Sequence, residues 1–147
     1  METVQNAPVR GEEERVAWGR LVPAGLLAAL VAAAANATVY LVAAAAGAMP
    51  QDVVVNGQGP MTLPMVATTS VFGAVAGTAV YALVGRFARR PVRVFRVVAA
   101  VALVLSFVGP FTIPGAPAAM VTTLLLMHVV AAAVVVGLLT TMAARKA

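Results

Sequence analysis

The chain has 147 residues, of which 62% are hydrophobic and 10% charged, and its net charge is +5. Soluble domains are about half apolar and about 25% charged, and a fold this small has too little interior to hide such an apolar excess, so composition excludes a water-soluble globular domain. The absence of cysteine excludes disulfides, thiolate catalysis and Cys-ligated metals.

Four apolar runs organise the chain: Leu21–Met49, Met61–Val84, Val97–Ile113 and Ala118–Ala143. A helix rising ~1.5 Å per residue needs about 20 apolar residues to cross a ~30 Å hydrocarbon core. Three runs exceed that length and the third is marginal. Backbone groups in lipid must be satisfied within their own segment, and the short alternating strands of a barrel are missing, so the expected class is all-α: a four-transmembrane-helix bundle.

The segment 1–20 holds Glu12, Glu13 and Glu14 and is too polar for a signal-peptide n-region. The run after it is too long for an h-region, so it is expected to stay as a helix although Ala43–Ala48 resembles a cleavage site. In the next loop, Asn56-Gly57 is a tight-turn dipeptide and Val53–Val55 is β-prone, which predicts a small extracellular hairpin; a tether without regular structure is the alternative. Thr62 is expected to cap the second helix, with Pro64 in its first turn. Gly85 is expected to end that helix and Pro91 to restart the chain. Pro110, Pro114 and Pro117 turn the third helix into the fourth. A tail, 144–147, closes the chain.

The ten Lys and Arg residues set the orientation. Arg10, Arg15 and Arg20 precede the first run, Arg86, Arg89, Arg90, Arg93 and Arg96 join the second and third, and Arg145 and Lys146 follow the fourth. The loops at 49–61 and 113–118 carry none. By the positive-inside rule both termini are cytoplasmic in a bacterial inner (plasma) membrane. The arginine loop is read as a topology determinant contacting lipid headgroups, not as a nucleic-acid surface, because it lies between spans. Trp18 and Tyr81 fall where interfacial aromatics are expected.

Small residues predict the packing. Thr69, Gly73, Gly77 and Tyr81 recur every four residues, and Gly73–Gly77 is a GxxxG pattern that lets backbones approach. Ala24, Ala28, Ala32 and Asn36 form a similar stripe on the first helix, and the two stripes are expected to meet. The alternative is a homodimer interface through Gly73 and Gly77.

Polar residues within the runs are few. Asn36, Ser70, Ser106 and His128, with Thr69, are expected near a common midplane level, one or more from each helix. One reading makes this level a small binding site in which His128, the side-chain type that titrates near neutrality, relays a proton or ligates a metal or haem beside Met127 or Met120. The other has these residues hydrogen-bond one another and lock the bundle. A metal site lacks further ligands, since no second His, no Cys and no carboxylate stands in a run and Asp52 is in a loop; no metal and no cofactor are expected. No triad partner for Ser70 or Ser106, no nucleophile elbow and no phosphate-binding loop is present, so catalysis is not expected.

Asn36, Thr62-Leu63-Pro64, Leu105-Ser106 with Pro110, and Leu126 to Ala131 around His128 together resemble a family of small four-span actinobacterial proteins known only as a domain of unknown function. The resemblance covers Leu21 to Met142 and implies no activity. Two function classes follow from the residues. In the first, the protein is a structural or interaction module associating with itself or another membrane protein through small-residue faces. In the second, it binds or transports a small molecule, lipid or ion at the midplane site around His128 and Asn36.

Overall fold

A computed structural model describes residues 14–146; the segment before them, including Arg10, Glu12 and Glu13, and Ala147 lie outside the described residues. The elements in chain order are β1 (Glu14–Val16), α1 (Trp18–Ala45), α2 (Leu63–Phe87), α3 (Pro91–Ser106), α4 (Val108–Phe111), α5 (Ala118–Met142) and β2 (Ala144–Lys146). Four helices are long and apolar enough to cross a membrane, the third counted as Pro91–Phe111 through the α3–α4 break. The expected all-α bundle of a membrane protein is therefore the architecture.

Local chemistry explains the helix ends. α1 stops four residues before its apolar run does because Gly47 takes φ +75°, and the amides of Gly47 and Ala48 bond back to the carbonyls of Ala44 and Ala43 at 3.0 and 2.8 Å. This is a Schellman cap, so the small residues that resemble a cleavage site serve as a helix stop. Thr62 sits at the N-cap of α2 in extended conformation but makes no side-chain cap bond. The expected cap is absent; the Thr62 carbonyl accepts from Val66 at 3.0 Å. α2 also runs past Gly85 to Phe87, and α3 starts at Pro91, six residues before the apolar run. Only Arg89 and Arg90 of the five central arginines thus lie in the connection; Arg86 is in the last turn of α2, and Arg93 and Arg96 are on α3.

The first and last described residues meet. β1 pairs antiparallel with β2, Arg15 opposite Arg145 and Val16 opposite Ala144, and Ala17 N–H extends the pairing to the Ala143 carbonyl at 2.8 Å. Residues 14–16 and 144–146 are therefore tied into one ribbon that continues directly into α1 and α5. A Cβ on Gly85 would run into the Val16 side chain, so the ribbon is seated on α2 by a glycine. Arg15, Arg20, Arg86, Arg89, Arg90, Arg93, Arg96 and Arg145 are all exposed at this end, which we call the basic end.

α1 is the central helix, packed between α2 and α5. Its Ala24, Ala28 and Ala32 are fully buried, and Gly25 faces Thr78 of α2 so closely that a Cβ would sit 2.6 Å from Oγ1. The buried residues of α2 are Val66, Ser70, Ala74 and Tyr81, so of the expected stripe Thr69, Gly73, Gly77 and Tyr81 only Tyr81 is buried. Gly77 turns to α5, where a Cβ would come within 2.7 Å of Val135 Cγ1, and Gly73 meets nothing within 4 Å. Tyr81 is a buried core residue, tilted against Phe95 at 51° with ring centroids 4.8 Å apart. Trp18, by contrast, is exposed.

α3 touches the bundle chiefly at the basic end. Its buried residues are Pro91, Val92 and Phe95, whereas Val97, Val101, Val104 and Leu105 are exposed. That apolar exposure suits lipid contact.

Candidate functional site

The buried side chains form one apolar cluster toward the basic end, around Ala28, Tyr81, Phe95 and Leu139, and another toward the opposite end, around Tyr40, Val66, Met120 and Met127. Asn36 belongs to neither cluster, and it carries the polar level expected from the sequence.

Asn36 is 4% exposed. Its Nδ2 donates to Ser70 Oγ at 3.0 Å, and Ser70 Oγ donates in turn to the Val66 carbonyl at 2.8 Å. Asn36 Oδ1 is covered and has no partner among the described residues. An unpaired buried amide oxygen costs about 1–3 kcal/mol, so the level is only half satisfied. His128 is half-buried on α5, with Nδ1 2.7 Å from the Leu124 carbonyl. Because a carbonyl only accepts, Nδ1 carries the hydrogen, and Nε2 has no hydrogen-bond partner among the described residues. His128 and Asn36 do not pair with each other.

The two residues meet instead across a cavity of about 370 Å³ that both line, together with Ser70, Thr69 and Gly73 of α2 and Met127 of α5. This lies at the small end of the range for small-molecule pockets, about 300–1,000 Å³. Asn36, Ser70 and Met127 are buried at its back, and Thr69, Gly73 and Gly109 are exposed at its mouth.

The loop 46–62 roofs the cavity, placing Val55, Asn56 and Met61 in its lining. The loop is neither a tether nor a strand hairpin. Asn56 and Gly57 take φ +52° and +73°, the positive pair of a type I′ turn, and Val55 N–H reaches the Gly59 carbonyl at 2.8 Å, yet no strand follows. Burial of Met49, Val53 and Val55, with Tyr40 Oη donating to the Met61 carbonyl at 2.9 Å, holds it on the bundle.

Of the expected site residues, Asn36, Ser70 and His128 come together and Ser106 does not. Ser106 is the last residue of α3, and its Oγ donates to the Leu103 carbonyl at 2.6 Å. The roof residues Val55 and Asn56, and Gly109 and Pro110 of α4, were missed as lining because their sequence signals report turns and breaks, not what the turn covers. Among the described residues, no group of His, Asp and Glu gathers to hold a metal.

Residues 16–145 match a family of unknown function, DUF6069. The chain belongs to that family. The DUF6069 match runs from Val16 of β1 to Arg145 of β2, so it takes in every helix that builds the cavity as well as the ribbon. No curated protein and no solved structure matches the chain.

Proposed function

We propose that this protein binds a small apolar molecule in the cavity between α1, α2, α4 and α5. The observation that carries the reading is the convergence of half-satisfied polar groups on a space walled by apolar side chains: Asn36, with an unpartnered Oδ1, and His128, with Nε2 unbonded, line one cavity. Few precisely placed polar groups in an apolar pocket are the general pattern of ligand sites. The Asn36–Ser70 bond between α1 and α2 supports the locking reading for those two residues, but His128 takes no part in it, since His128 bonds its own helix.

Association through small-residue faces has less support. Ala24, Ala28 and Ala32 are buried within the chain, Gly25 faces Thr78 and Gly77 faces Val135. The reading includes no catalytic step. It places the protein in an actinobacterial plasma membrane with the basic end in the cytoplasm, its arginines against anionic headgroups, each contributing about 1 kcal/mol near a charged leaflet.

The test uses Gly73→Leu, which puts a side chain at the cavity mouth where a Cβ meets nothing within 4 Å. In lipid nanodiscs, an uncharged aromatic probe such as 2-methoxynaphthalene is expected to bind the wild-type protein and to bind the folded variant at least tenfold more weakly. Equal binding by both would refute the site.

A further inference from the structure

Hydrogen-bond accounting around the cavity shows an asymmetry that restricts its ligand. Thr69 Oγ1 gives its hydrogen to the Met65 carbonyl at 2.8 Å, Ser70 Oγ gives its own to Val66, and His128 Nδ1–H is taken by Leu124. Asn36 Nδ2 spends one of its two hydrogens on Ser70. What the lining retains is therefore a lone pair on Thr69 Oγ1 at the mouth and on His128 Nε2, against one remaining Asn36 Nδ2 hydrogen, while Asn36 Oδ1 is covered. Asn56 could offer an amide, but it is exposed at the roof.

Charge narrows the class further. No Asp, Glu, Lys or Arg lines the cavity. An ammonium group would find acceptors there but no counter-ion, and burying an unpaired ion among Val66, Leu124 and Met127 is far more costly than burying a neutral donor. A carboxylate or phosphate would meet lone pairs.

Resting on the binding reading above, we infer that the ligand is neutral, with an apolar body and a polar end that donates a hydrogen bond: an alcohol or a phenol. Its hydroxyl hydrogen goes to His128 Nε2. Selection against the same body without a donor is then stronger than apolar contact alone supplies, because the site's acceptors stay unpaired.

The chain has one histidine, so labelling histidine with ¹⁵N gives a single pair of ring resonances. The full chain in nanodiscs is titrated with 2-naphthol and with 2-methoxynaphthalene, each corrected for partition into empty nanodiscs. The naphthol is expected to bind about tenfold tighter, the effect of one to two net hydrogen bonds, and to move the resonance of the unprotonated ring nitrogen, which the methyl ether leaves in place. His128→Leu is expected to keep binding and lose the preference. Should that variant fail to fold, His128→Gln, which retains an acceptor, is expected to keep the preference. Equal affinities with an unmoved resonance, as when only water meets Nε2, would overturn the donor assignment and leave the cavity reading standing. Binding of neither probe would overturn both.

Discussion

The glycine pair on α2 offers the sharpest check on how the bundle is built. An ideal Cβ on Gly77 lies 2.7 Å from Val135 Cγ1, about 1 Å inside the 3.5–4.0 Å optimum for carbon atoms. Overpacking of this kind costs about 1–3 kcal/mol. Replacing a mid-helix glycine by alanine also gains about 1 kcal/mol of helix propensity, so Gly77→Ala is expected to be neutral to about 2 kcal/mol destabilising. Gly73→Ala on the same helix, with nothing within 4 Å, has only the gain. The propensity terms cancel between the two, and their difference isolates the steric cost at about 1–3 kcal/mol. Val135→Ala removes the opposing methyl, so in that background Gly77→Ala becomes stabilising, with a coupling of similar size. Helical circular dichroism during titration of the detergent-solubilised protein with SDS measures all four stabilities. Destabilisation by Gly73→Ala together with tolerance of Gly77→Ala, or a coupling near zero, would refute the placement of Gly77 against α5 and revive a dimer through Gly73.

Other perturbations probe the polar level, the ribbon and the roof. Ser70→Ala leaves Asn36 Nδ2 without its acceptor and is expected to cost about 1 kcal/mol, within the range for polar contacts between membrane helices; Asn36→Ala with Ser70→Ala should cost less than the two singles summed, in the same SDS titration. Arg15 and Arg145 face each other across the ribbon, and opposed strand residues have the ~4.5–5.5 Å Cα separation a disulfide accepts. Arg15→Cys with Arg145→Cys is therefore expected to oxidise readily within one chain, as read from gel mobility, and adding Gly85→Val should slow the oxidation by pushing Val16 away. Gly57→Ala forces a side chain into φ +73° at about 1–2 kcal/mol, and is expected to speed proteolysis of the roof loop; an unchanged cleavage rate would argue that the turn does not hold it.

The spans were legible because lipid imposes a one-dimensional rule, about 20 apolar residues per crossing, and the runs from Leu21 and Ala118 obey it. Hydropathy fails where a helix starts amphipathically: Arg93 and Arg96 are exposed while Val92 and Phe95 are buried, so α3 begins at Pro91 although its apolar run begins at Val97. That shift of six residues moves Ser106 ~9 Å along the helix at ~1.5 Å per residue, and explains its absence from the polar level. Asn36 and His128 were placed well because α1 and α5 start or end near the expected positions. The face of α2 was misjudged through the geometry of fours: steps of four residues advance 40° beyond a full turn at ~100° per residue. The series from Tyr81 back through Gly77 and Gly73 to Thr69 therefore spirals off the face that Val66, Ser70 and Ala74 share with it. The ribbon left no sequence signal, since its strands have three residues each and are joined from opposite ends of the chain.

These placements together account for where the cavity forms. Toward the basic end the helices close on small residues: Gly25 admits Thr78, Gly77 admits Val135 and Gly85 admits Val16, and the ribbon clamps α1 to α5. Beyond Asn36 the helices part. Tyr40, Met120, Leu124 and Met127 are large and buried, so they hold α1 and α5 together while Gly73, with no side chain and no neighbour, leaves the α2 side unfilled. α3, held at its first turns by Phe95 on Tyr81, does not return to close the gap, and only α4 and the roof loop reach over it. The bundle is thus a wedge, closed toward the basic end, where Tyr81, Phe95 and Leu139 fill the core and glycines admit their neighbours, and open where the chain places its one histidine. Packing alone would favour a leucine at position 73 and an apolar residue at 36, because either fills space or removes an unpaired polar atom. Under the proposed binding function, stability given up at these cavity positions has a physical reason, and so has leaving polar atoms of Asn36 and His128 unmatched within the chain.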